Sequence, residues 1–128
     1  MRTLVTAAIV VLATGATVNA QQILSAGGLY GGPAQTRVVC YFHNAGSTTL
    51  TLSGLRLSNQ AGAILPFVVN ECGAGTLLPG RTCGIAADVP NNTVQNCRAL
   101  VSPGKGNARG ILEVRDSSQR PLQNVELR

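Results

Sequence analysis

Residues 95–116 read QNCRALVSPGKGNARGILEVRD. Cys97, Ala99 and Val101 fall on one face by period two, and so do Gly110, Leu112 and Val114, with Arg109, Glu113 and Arg115 opposite. Between the two runs lies Pro103-Gly104-Lys105-Gly106-Asn107. Alternation of this kind, broken by proline and glycine, predicts two short strands divided by an exposed loop. No window after Ala20 sustains the 3.6-residue apolar period of a helix.

The same grammar extends in both directions. Thr36, Val38, Cys40 and Phe42 share one face of a strand, which Asn44-Ala45-Gly46-Ser47 ends as a turn. Thr48 to Ser58 carries Leu50 and Leu52 in one phase and Leu55 and Leu57 in another, so a bulge is expected at Gly54. After the turn Gln60-Ala61-Gly62, Ile64 to Glu71 reads as a further strand region. Pro79-Gly80 launches a strand in which Cys83, Ile85, Ala87 and Val89 alternate, and Pro121 to Arg128 adds an edge strand. Seven or eight short antiparallel strands at this spacing predict an all-β sandwich.

The beginning of the chain speaks to compartment. Met1-Arg2-Thr3 is a short basic start, Leu4 to Ala13 is apolar and uncharged, and Val18-Asn19-Ala20 supplies small residues for a signal peptidase. The apolar run is too short to span a bilayer. The expected organisation is a signal peptide over 1–20, a glycine-rich lead-in or edge strand over 21–34, and one domain over 35–128. Export to a periplasm or to the extracellular space follows, with no membrane span.

All four cysteines (Cys40, Cys72, Cys83, Cys97) lie beyond Ala20. An even count in a small exported domain predicts disulfides, and four cysteines allow three pairings. Zinc is disfavoured: no C-x₂₋₄-C pair occurs, and His43 is the only histidine. Cys72 and Cys83 flank the single loop Gly73 to Thr82, so a short bridge closes easily there. Cys40 and Cys97 then pair, each mid-strand and inward-facing, joining one sheet to the other through the core.

The net charge is +5. Arg37, Arg56, Arg81, Arg98, Lys105, Arg109, Arg115, Arg120 and Arg128 are scattered without a basic run, and aromatic residues are few. Nucleic-acid binding is therefore disfavoured, and solubility, or attraction to anionic envelope polymers, is enough to account for the charge. No catalytic, cofactor or metal motif stands out. His43 reads as a turn histidine without a G-x-S-x-G partner. Glu113 and Asp116 are placed on opposite faces by period two, and Glu113 between Arg109 and Arg115 reads as a solvated charge ladder.

A bridge between facing sheets suggests an immunoglobulin-like sandwich. The chain lacks the tryptophan that packs on such a bridge, and Gln95 stands where a tyrosine corner would be. From Val38 to Asp116 the sequence resembles the immunoglobulin-like domain of bacterial choice-of-anchor D repeats, akin to the abnormal-spindle type. Asn44-Ala45-Gly46 followed by Thr49-Leu50-Thr51-Leu52 resembles that family's first turn and strand. Cys72, Leu77-Leu78-Pro79-Gly80 and Cys83 resemble its Cys…Leu-x-Pro-Gly-x-x-Cys segment, and Arg109 to Val114 its closing strand. Val89-Pro90 departs from its Phe-x-Pro, and Cys40 and Cys97 are additions. The resemblance implies a scaffold or adhesion role with no active site. The expected function is a non-enzymatic exported interaction module. Its partner would be a protein or envelope polymer, met through the loops Asn59 to Ala63, Gly73 to Leu78 and Pro103 to Ala108 or through a sheet edge. The alternative is a secreted inhibitor that presents the 73–82 loop to a protease, inserting Leu77 or Arg81.

Overall fold

The computed structural model describes residues 20–128; the expected signal segment, apart from Ala20, lies outside them. The described chain is an all-β sandwich. Its strands are β1 (Gln22–Leu29), β2 (Arg37–Asn44), β3 (Leu50–Asn59), β4 (Val69–Asn70), β5 (Thr76–Leu77), β6 (Thr82–Asp88), β7 (Gln95–Ser102), β8 (Ala108–Arg115) and β9 (Pro121–Glu126). One antiparallel sheet has the order β1-β7-β3-β5, and the other β4-β6-β2-β8-β9. Odd strands thus fall in the first sheet and even strands in the second, until the final β8–β9 hairpin breaks the rule. Every earlier connection crosses the sandwich.

This order reproduces the immunoglobulin arrangement with its two outer strands exchanged. β2, β6 and β4 stand where an immunoglobulin domain has B, E and D, and β3 and β7 stand at C and F. The place beside the B-equivalent strand is taken by β8 from the far end of the chain, and the place beside the F-equivalent strand by β1 from the near end.

The core follows the alternation. Val38, Cys40 and Phe42 of β2, Ile85 and Ala87 of β6, and Leu112 and Val114 of β8 face Leu50, Leu52 and Leu57 of β3 and Cys97, Ala99 and Val101 of β7; all are buried. Cys40 is bonded to Cys97 across the two sheets, and Cys72 to Cys83 within one end of the sandwich. At Gly54 the backbone takes φ 55° and the β3–β7 register shifts between Ser53 and Arg56. This bulge lets both leucine phases of β3 face inward.

The two ends of the described chain close one side of the sandwich. Ser25 N–H donates to Arg128 O (3.0 Å), Arg128 N–H returns a bond to Ser25 O (2.9 Å), and Leu127 N–H donates to Gly110 O (2.9 Å). Leu127 packs so closely on β8 that a Cβ on Gly110 would sit 2.9 Å from its Cδ2. On the other side the edges are the two-residue strands β4 and β5, which are too short to template pairing with another chain.

Two expectations change. Ile64 to Glu71 forms only Val69–Asn70, because Pro66 has no N–H to give a ladder; Ile64 is 65% exposed. The loop 73–82, in turn, contains the strand β5, and the total reaches nine strands among the described residues.

Asp116 holds the β8–β9 turn. Its carboxylate accepts from Ser118 N–H (2.9 Å), Arg120 N–H (3.0 Å) and Arg120 Nε (2.9 Å). The bond from the Arg120 backbone is the largest influence that lowers its pKa, reinforced by the Arg120 side chain and Ser118.

Two outcomes follow for stability. In the chain-entropy account, replacing Cys40 and Cys97 by alanine lowers the unfolding free energy by about 4 kcal/mol, and replacing Cys72 and Cys83 by about 3 kcal/mol. The ranking reflects their sequence separations of 57 and 11, and urea titration measures it. Because folding depresses the Asp116 pKa, its contribution is present above the ordinary carboxylate range and lost as pH falls through its folded value. Asp116→Asn should therefore lower the urea midpoint at pH 7, and the gap should narrow as the pH falls below the ordinary carboxylate range; a gap that does not change with acidification would remove the carboxylate from the account.

Candidate interaction surfaces

The loops expected to make contacts do not converge. Loops 73–78 and 103–108 both anchor on the last residues of β2, whereas 59–63 lies at the opposite end, where Asn59 stands across from Gln95. The anchor is Asn44, fully buried. Its Nδ2 donates to Thr48 O (2.8 Å) and Leu77 O (2.9 Å), and its Oδ1 accepts from Gly46 N–H (3.0 Å). Its backbone takes Gly80 N–H (2.9 Å) and donates to Arg81 O (3.0 Å), while Ala45 N–H donates to Asn107 O (2.8 Å). The Asn-x-Gly turn of the sequence is thus a fastening for both neighbouring loops.

The 73–82 loop is held flat. Besides the Cys72–Cys83 bond, Leu52 N–H donates to Gly75 O (2.6 Å), and β5 pairs Leu77 with Leu50 and Thr76 with Thr51. Leu77 is consequently 4% exposed and part of the core, so it cannot be the inserted side chain of an inhibitor. Leu78, 53% exposed, and Arg81 are what this end presents.

His43 projects from the outer face of the five-stranded sheet. Its Nδ1 lies 3.0 Å from Thr82 Oγ1, and its cross-strand neighbours are Thr82 and Arg109. A shallow concavity of about 260 Å³ opens here between Tyr41, Thr82, Arg109 and Ile111. A hydroxyl and an imidazole are therefore in contact. The row continues to a guanidinium, however, where a triad would need a carboxylate to orient the ring and stabilise its protonated form. On the other side of Tyr41, a second hollow of about 130 Å³ lies over Gly84 and Ala86, walled by Arg37, Glu71 and Arg115. Arg115 is hydrogen-bonded to Glu113 and donates to Tyr41 Oη (3.1 Å). Desolvation would lower its pKa, but Glu113 and Tyr41 outweigh that and raise it. The Glu113–Arg115 contact runs along one strand and is largely covered, with side chains 13% and 22% exposed, in place of the solvated ladder expected.

Among the described residues no three His, Cys, Asp or Glu side chains gather as metal ligands. The buried polar residues are structural. Gln35 accepts from Gly31 N–H (2.8 Å) through Oε1 and donates to Pro90 O (2.8 Å) and Thr93 O (2.7 Å) through Nε2. No sequence signal marks it, since a glutamine between Pro33 and a strand reads as loop.

Charge is partitioned between the sheets. All five side-chain carboxylates, Glu71, Asp88, Glu113, Asp116 and Glu126, lie on strands of the five-stranded sheet or directly after one. Three of them pair locally: Asp88 with Arg37 (2.8 Å), Glu113 with Arg115, and Asp116 with Arg120 (2.8 Å). The strands of the four-stranded sheet carry no acid and two arginines, Arg56 and Arg98.

No family model matches the chain, and comparison with curated proteins and with solved structures gives no match either.

The opposite burial of two adjacent leucines is open to direct measurement. Leu77→Ala should cost about 2–5 kcal/mol, as for other buried leucines, and Leu78→Ala no more than about 0.5 kcal/mol. Equal losses in chemical denaturation would mean that the loop is not packed as described.

Proposed function

We propose that the chain is an exported, non-enzymatic interaction module of the cell envelope or extracellular space, released by signal peptidase after Ala20. The observation that carries this reading is a sandwich cross-linked through its core and at one end, with its buried polar side chains spent on holding turns and loops. Asn44, Gln35 and Asp116 all face inward to fix the backbone, and His43 meets only a hydroxyl and a cation. Two disulfides fit an oxidising compartment. Among the described residues no helix is long and apolar enough to cross a membrane. Cleavage after Ala20 would leave a single residue, Gln21, ahead of β1.

The clamped Cys72–Cys83 loop supports a kinship with choice-of-anchor D domains as scaffolds, and the Cys40–Cys97 bond is an addition to that pattern. The contact groups on this reading are the loops fastened to Asn44 and the outer sheet faces, since a rigid scaffold that positions surface segments is the usual basis of recognition by such sandwiches.

Natively exported protein provides the test. Its N-terminus should be Gln21 by mass spectrometry, and it should not turn over ester, peptide or glycoside substrates above the level of a His43→Ala variant. Turnover lost in that variant would overturn the non-enzymatic reading, and a retained 1–20 segment would overturn the export route.

A further inference from the structure

The outer face of the four-stranded sheet carries an unneutralised pair of cations. Arg56 of β3 and Arg98 of β7 are direct cross-strand partners, so their Cβ atoms lie about 5 Å apart on one face. Arg56 is held over the sheet by a bond from Nη2 to Gly62 O (3.1 Å), and its buried Nε has no acceptor. Arg98 is exposed. Like charges placed directly opposite destabilise a sheet, and here no side-chain carboxylate lies on any strand of that sheet to relieve them. Elsewhere in the described chain Arg37, Arg115 and Arg120 each have an acid. The pair thus has no carboxylate on its own sheet, whereas the other sheet carries acids beside three of its arginines, though not beside Arg109.

We propose that this face binds an acidic polysaccharide, with one carboxylate or sulfate group bridging the Arg56 and Arg98 guanidiniums. Two adjacent planar forks match an oxyanion bearing several acceptor oxygens. The row continues to Ser25, opposite Arg98, and the next rows place Ser58 beside Asn96 and Ser53 beside Leu100. Hydroxyls suited to sugar hydroxyls thus surround the cations, and Ile23 beside Leu100 offers aliphatic surface to a sugar ring. Neither sheet strand β1, β3, β5 nor β7 holds an aromatic residue. Bases would find nothing to stack on, and two cations are fewer than an anionic membrane requires. The inference rests on the interaction-module reading and gives it a partner class.

The experiment uses the mature chain with heparin and polygalacturonate as probes at low ionic strength. Binding to at least one should be saturable, weaken with added salt and raise the thermal midpoint. Arg98→Gln or Arg56→Gln should weaken it about tenfold or more, as expected for loss of a charge-assisted bond, whereas Arg120→Gln on the other sheet should leave it unchanged. Melting of the free Arg98→Gln protein at or above the wild-type temperature confirms that the fold is kept. Absence of binding to both polymers, binding indifferent to Arg56 and Arg98, or equally tight binding to duplex DNA or phosphatidylglycerol vesicles overturns the proposal. Such a failure leaves the interaction-module reading standing, because that reading fails only through His43-dependent turnover or a retained leader.

Discussion

The Cys40–Cys97 bond sits where the two sheets would otherwise be held by packing alone. It joins the central strand of one sheet, β2, to the central pair of the other through fully buried sulfur atoms. Its position matters because of the connectivity. With every connection before β8 crossing the sandwich, no strand before β8 finds its sheet neighbour next to it in sequence. Each sheet closes only when distant segments meet, a slow and entropically costly arrangement. A bond between residues 57 apart shortens the largest of those searches once formed. The remaining strands dock on two facing strands already tethered across the core.

Around that frame, polar side chains divide into two kinds of work. Asn44, Gln35 and Asp116 replace backbone partners at the sandwich ends, where turning chain leaves N–H and C=O groups without ladder bonds. Charged side chains divide by sheet: acids and their arginines on one face, uncompensated arginines on the other. On the first face three ion pairs close locally, and Arg109, Glu71 and Glu126 stay outside them. The second is electrostatically open. A near-neutral, hydroxyl-rich plane around two cations focuses the field on a single spot, which is a different thing from a diffuse positive net charge.

The strands that alternate cleanly were legible in the sequence. Val38, Cys40 and Phe42, then Cys97, Ala99 and Val101, and Gly110, Leu112 and Val114 all face inward as period two requires, and the change of phase at Gly54 is a bulge. Shorter pieces were not legible. β4 and β5 exist only because β6 and β3 offer edges to them, and nothing in Val69-Asn70 or Thr76-Leu77 specifies a strand locally. Leu77 read as a loop residue for the same reason. The partition of charge was hidden more deeply, since it depends on which sheet each strand joins. Along the chain Arg98 is simply one of several dispersed cations; its pairing with Arg56 requires the β3–β7 register.

The seam formed by Ser25 and Arg128 has a mechanical meaning. β1 starts and the tail after β9 finishes at the same end of the sandwich, so tension applied to the two ends would part them one bond at a time, like a zipper. The peeling could proceed through β1 on one side and through β9 and β8 on the other. It would then arrive at Cys40 and Cys97, beyond which no force short of breaking a covalent bond can lengthen the chain. A domain built this way yields early under load and then stops, with its central strands still shielded inside the loop.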